Sequence, residues 1–179
     1  MKFMDYITLN NGVQMPQEGY GVFQITDPDE CRRCVTDALA CGYRLIDTAS
    51  AYMIEIHPFF QQQSALHTMN EYHVQPEAWG LLSEGQRDIF HNKLLAKIAW
   101  KYHKSVAQII LRWHVQRGVV VIPKSPKKNR MEENIHIWDF QLTQEDMKQI
   151  AGMDIGHSEI INHYSSCTAK ALNGTKIHD

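Results

Sequence analysis

The sequence predicts an α/β fold, and three observations carry that prediction. Short apolar runs such as Val119-Val120-Val121-Ile122 alternate along the chain with helical stretches of apolar periodicity. Helix-start signals recur, as Asp27-Pro28-Asp29-Glu30 and as Ser105 followed three residues later by Gln108. No internal repeat, low-complexity tract or Pro/Gly/Ser-rich linker divides the 179 residues, so one domain is expected.

The segments up to Met15 read as a short hairpin, and 19–24 as the first strand. Asp27 suits an N-cap, Pro28 the first helical position and Glu30 the third, giving a helix over 28–41 that Gly42 ends. Strands follow over 43–47 and 54–57, then a helix over 64–72 and a strand over 77–79. Helices over 93–102 and from Ser105 onward precede a strand over 119–122, whose four apolar residues suit burial on both faces. Ser125 suits an N-cap and Pro126 a first helical position, so a helix is expected over 126–134, with a last one over 143–151.

The junction at Pro123-Lys124-Ser125 is the candidate binding site. A helix N-terminus favours an anion through its free amides and dipole; Lys124 adds a cation, and Arg130 and Asn134, four residues apart, share one helical face. That combination points to a phosphate, the alternative being a solvated basic turn.

Composition excludes several classes. A net charge of −2 with 44% hydrophobic and 21% charged residues gives no field suited to nucleic acid or an acidic membrane. No apolar run approaches the ~20 residues of a membrane span, and Met1 to Asn10 lacks the basic-then-apolar order of a secretion signal, so a cytoplasmic protein is expected. Cys31-x-x-Cys34 has half of a zinc spacing without a second pair, so Cys31, Cys34, Cys41 and Cys167 are read as reduced thiols. The ten histidines show no H-E-x-x-H spacing, and no metal is expected.

Several segments, in order, resemble the aldo-keto reductases: LNNGVQMPQEGYGVFQ (9–24), RLIDTASAY (44–52), IEIHPFFQQ (54–62), EAWGLL (77–82), KSVAQIILRWHVQRGVVVIPKS (104–125) and IPKSPKKNRMEEN (122–134). The resemblance implies a TIM (β/α)8 barrel, for which ~250 residues are typical. Here Tyr52 and Ile54 are separated by Met53 alone, where the family has three strands with their helices. The expectation is therefore an incomplete barrel with about five of eight strands, a single truncated domain made of 1–52, 54–157 and a tail over 158–179.

The resemblance also implies NADPH-dependent reduction of aldehydes or ketones. Tyr52 matches the proton-donating tyrosine and Asp47 the aspartate beside it, while the family's catalytic lysine and histidine have no match, so impaired activity is expected. NADP(H) contacts are implied for Gly21, Val22, Phe23 and Asp47, for Trp79 as the ring stacking on nicotinamide, for Gly80 and Leu82, and for Lys124, Ser125, Arg130, Glu133 and Asn134 around the adenosine end. Met53 stands where the family places a carboxamide-binding glutamine. The alternatives are a catalytically silent NADP-binding or partner-binding remnant and a poorly folding product. Six residues between Asp47 and Ile54 reach about 20 Å, which leaves a stretched return or an antiparallel pairing of 43–47 with 54–57. Open edges and uncovered Leu45, Ile46 and Ile56 predict self-association, chaperone dependence or partial disorder near 48–60.

Overall fold

The computed structural model describes residues 4–9, 12–22, 25, 27–47, 55–158 and 160. Strands β1 (Tyr6–Thr8) and β2 (Gln14–Pro16) form the expected antiparallel hairpin, with Ile7 opposite Met15. Next come β3 (Tyr20–Gly21), helix α1 (Pro28–Cys41) and β4 (Ile46–Asp47), with Tyr20 opposite Ile46 in a parallel pair. The start of α1 is the one its sequence encodes: the Asp27 carboxylate accepts from the Glu30 amide at 2.7 Å, and Gly42 closes the helix at φ 106°.

Helix α2 (Gln63–Glu71) leads to β5 (Glu77–Ala78), and a 3-10 segment (Ser83–His91) leads to α3 (Lys93–Tyr102). Helix α4 (Val106–Gln116) then feeds β6 (Val120–Val121), followed by α5 (Lys128–Ile135) and α6 (Gln144–Ala151). Capping boxes open α4, from Ser105 and Gln108, and α6, from Thr143 and Asp146. The Asp146 carboxylate also accepts from Lys101 Nζ at 2.8 Å and from the Tyr102 hydroxyl, joining α6 to α3.

Two parallel pairs, β3 with β4 and β5 with β6, are joined into one row by single bridges. Glu18 bridges Val121, so β3 lies beside β6; β5 pairs with β6 through Glu77 and Val120; Trp79 bridges Glu55. The order across the row is β4, β3, β6, β5 and Glu55. This corrects the antiparallel alternative for 54–57, because Glu55 runs parallel to Trp79 and the Ile56 amide donates to the Trp79 carbonyl at 3.2 Å. The reason is burial: in this register Ile56 enters the apolar cluster formed by Ala78, Leu111, Val115, Val119 and Val121 between the row and α4, so it is fully covered, contrary to the expectation that it lacks neighbours. The connection over 48–54, with Tyr52 and Met53, lies outside the described residues, as does the tail over 161–179 with Cys167.

Helix α4 sits at the centre, with eight of its eleven residues buried, Gln108, Arg112 and His114 among them. Its other side packs with Leu95, Ile98, Leu142 and Ile150 from α3 and the α6 region. A third cluster joins α1 to the row through Tyr20, Cys34, Ala38, Tyr43 and Met131. Among the described cysteines all three are free thiols, Cys34 buried and Cys31 and Cys41 half-buried.

Glu18 is fully buried at the β3–β6 crossing and accepts a hydrogen bond from Trp138 Nε1 at 3.0 Å. Burial pushes its carboxyl from the ordinary 4.5 up to about 8, against the lowering effect of the hydrogen bond from Trp138.

Helix α5 starts later than its sequence suggests. Its N-cap is Lys127 and its first residue Lys128, not Ser125 and Pro126. Ser125 Oγ accepts from the Lys127 amide at 3.2 Å, a local turn that competes with helix initiation and moves it two residues on.

Candidate nucleotide site

Three strand ends converge on one groove. Gly21 closes β3, Trp79 and Gly80 follow β5, and Ile122, Pro123 and Lys124 follow β6; together they line a cavity of about 280 Å³ at the carboxyl ends of the strands. A Cβ on Gly21 would come within 3.0 Å of the Ile122 carbonyl, so glycine is what lets β3 approach the end of β6 this closely. Leu82, Phe90, Lys124 and Arg130 are shared with a second cavity of about 400 Å³, into which Ser125, Glu133 and Asn134 also face. The two cavities therefore form one continuous groove.

The groove is cationic at one end and aromatic at the other. Lys124 and Arg130 are exposed, whereas Ser125 and Asn134 are buried in the wall at 4% and 6% exposure. Ser125 Oγ accepts from the Lys127 amide and keeps its single O–H as a donor. At the other end Trp79 Nε1 is buried without an acceptor among the described residues. Cations, a hydroxyl and a helix N-terminus suit an anion, and Trp79, Leu82 and Phe90 offer apolar surface to a planar ring. A phosphorylated nucleotide fits this set.

Of the residues named from sequence, Gly21, Trp79, Gly80, Leu82, Lys124, Ser125, Arg130, Glu133 and Asn134 are brought together here. Val22 and Asp47 line neither cavity: Val22 packs against the α1 cluster and its amide donates to the Asp47 carbonyl at 3.0 Å. Phe23 and Tyr52 lie outside the described residues. Asp47 acts on a second acid: the Glu77 carboxyl is raised by burial first and by the Asp47 charge second.

Sequence reasoning missed Glu84, Gly85 and Phe90, which line the first cavity from the 3-10 segment. Glu84, Gly85, Arg87 and Asp88 all have positive φ there, a chain path that local propensity does not encode for Glu and Arg. The available signal was the polar run Ser83-Glu84-Gly85-Gln86-Arg87-Asp88 ahead of the Asn92 cap.

Residues 66–155, half of the chain, match the family model described as the Aldo/keto reductase family. The chain belongs to this family. Methylglyoxal reductase DkgA of Escherichia coli is 42% identical over 118 residues, which cover 63% of this chain and 42% of DkgA. The chain thus spans under half the length of that reductase. A crystal structure of an aldo/keto reductase from Brucella melitensis superimposes with a TM-score of 0.77 at 25% identity, covering 85% of this chain and 100% of that one. A Bombyx mori aldo-keto reductase, solved in complex with NADP, gives a TM-score of 0.78 at 19% identity over 91% of this chain and 96% of its own. The aldo-keto reductase fold is α/β of the TIM-barrel type, and the parallel row described above belongs to it. Among the described residues no helix is long and apolar enough to cross a membrane.

Proposed function

We propose that this aldo-keto reductase chain binds NADP(H) in the groove at the strand ends and reduces small carbonyl substrates only weakly. The observation that carries the reading is the joining of Lys124, Ser125, Arg130 and Asn134 with Trp79 and Gly80 along one continuous cavity. Lys124, Ser125 and Arg130 would take the adenosine 2′-phosphate, Glu133 and Asn134 the adenosine, Gly80 and Leu82 the diphosphate, and Trp79 the nicotinamide ring, beside Gly21. The bound nucleotide supplies a hydride.

The proton would come from Tyr52. A free phenol has a pKa of about 10, too high for efficient donation at neutral pH without a cation beside it. The family's lysine beside that tyrosine has no match in this sequence. This favours impaired proton transfer, and in the limit a catalytically silent NADP-binding remnant. The barrel is proposed to be incomplete, about five of eight strands, with 1–52 and 54–157 as its two parts. DkgA bears the name of a methylglyoxal reductase, which makes a small aldehyde the natural trial substrate. Oxidation of NADPH by methylglyoxal is expected to be slow and to fall further, by about a hundredfold, in Tyr52→Phe. A rate indifferent to that substitution would overturn the assignment of Tyr52.

Self-association is proposed through the two ends of the row, β4 and the segment at Glu55, with the cytosol as the compartment. Sizing chromatography is expected to show species larger than the 20.7 kDa monomer; a single monomeric peak would contradict it.

A further inference from the structure

The groove's cationic end is held from behind by side chains that do not line it. Tyr20, 1% exposed, donates its hydroxyl to the Ser125 carbonyl at 2.6 Å. Arg33 Nη2, from α1, donates to the next carbonyl, that of Pro126, at 3.2 Å, and Cys34 Sγ lies 3.9 Å from the same oxygen. Two consecutive carbonyls are thus drawn toward β3 and α1, each onto a donor.

The direction matters electrostatically. A carbonyl oxygen carries partial negative charge, and one turned toward the groove would repel a phosphate beside Lys124 and Arg130. With both carbonyls turned inward, the face left toward the groove holds the Ser125 hydroxyl, which Lys127 has fixed through its amide, and the two cations. We propose that Tyr20 is a positioning residue for the phosphate end of the nucleotide, orienting the Ser125–Pro126 backbone, with Arg33 as its auxiliary. The inference rests on the proposed binding of NADP(H).

The test is calorimetric titration of the full chain with 2′,5′-ADP and, as a control lacking the 2′-phosphate, 5′-AMP. Tyr20→Phe removes the hydroxyl and leaves a buried carbonyl without its donor; 2′,5′-ADP is expected to bind about tenfold more weakly and 5′-AMP to change by less than about twofold. Arg33→Ala, at a half-exposed position where folding is not at stake, is expected to weaken 2′,5′-ADP by about threefold with the same selectivity. Equal losses for both ligands, or no loss in either variant, would overturn the proposal. If the unaltered chain binds neither ligand, the NADP(H) reading fails and this one with it.

Discussion

Glu18→Gln is expected to raise the melting temperature by about 10 °C near pH 8 and to change it little near pH 5. In the folded chain Glu18 keeps its proton up to about pH 8, because it lies fully buried at the β3–β6 crossing, while in the unfolded chain it releases the proton near 4.5. Between those values the folded state binds more protons than the unfolded state, so stability falls as pH rises through the window and is level outside it. Glutamine has the shape of the protonated acid, keeps an oxygen to accept from Trp138 Nε1, and does not ionise. It therefore removes a loss on the order of 4 kcal/mol at the alkaline end. Thermal unfolding of both proteins across the range checks this. A difference that stays the same at about pH 5 and about pH 8, or a variant less stable at both, would show that Glu18 is not held protonated.

The same position illustrates what a sequence hides. Glu18 sits in a turn-like stretch, Pro16-Gln17-Glu18-Gly19, with no periodicity to mark it as interior, and only the pairing with Val121 puts it there. Elements whose signals are local were legible. The Asp27 cap and Gly42 stop give α1 its observed limits, and the Ser105 and Gln108 box opens α4. The start of α5 was misplaced because Ser125 and Pro126 satisfy two rules for helix initiation, while the structure uses the serine for a turn. One wall of the candidate groove was legible too, since Lys124, Ser125, Arg130 and Asn134 lie within eleven residues of one strand-to-helix junction and line one cavity. The wall at Glu84, Gly85 and Phe90 was not, because it depends on a run of left-handed residues. Strand order was hardest: that Glu55 bridges Trp79, just past β5, rather than β4 goes with the burial of Ile56 across long sequence separations.

The second large effect concerns the nucleotide itself. Lys124 and Arg130 are the exposed cations of the groove, and on the proposed binding they would meet the 2′-phosphate that distinguishes NADPH from NADH. A charge-assisted hydrogen bond is worth about 1.5–3 kcal/mol, so Arg130→Ala is expected to weaken NADPH by ten- to a hundredfold and to leave NADH nearly unaffected. Arg130 makes no ion pair among the described residues, so this loss would reflect the ligand rather than the fold. The measurement that bears most directly on the whole account is cooperative thermal unfolding with excess NADPH, set against excess NADH. At a hundred times its dissociation constant NADPH should add about 2.7 kcal/mol of stability and raise the melting temperature by about 5–10 °C, while NADH at the same concentration does much less. A transition indifferent to both nucleotides, or shifted equally by them, would contradict NADP(H) binding in this groove.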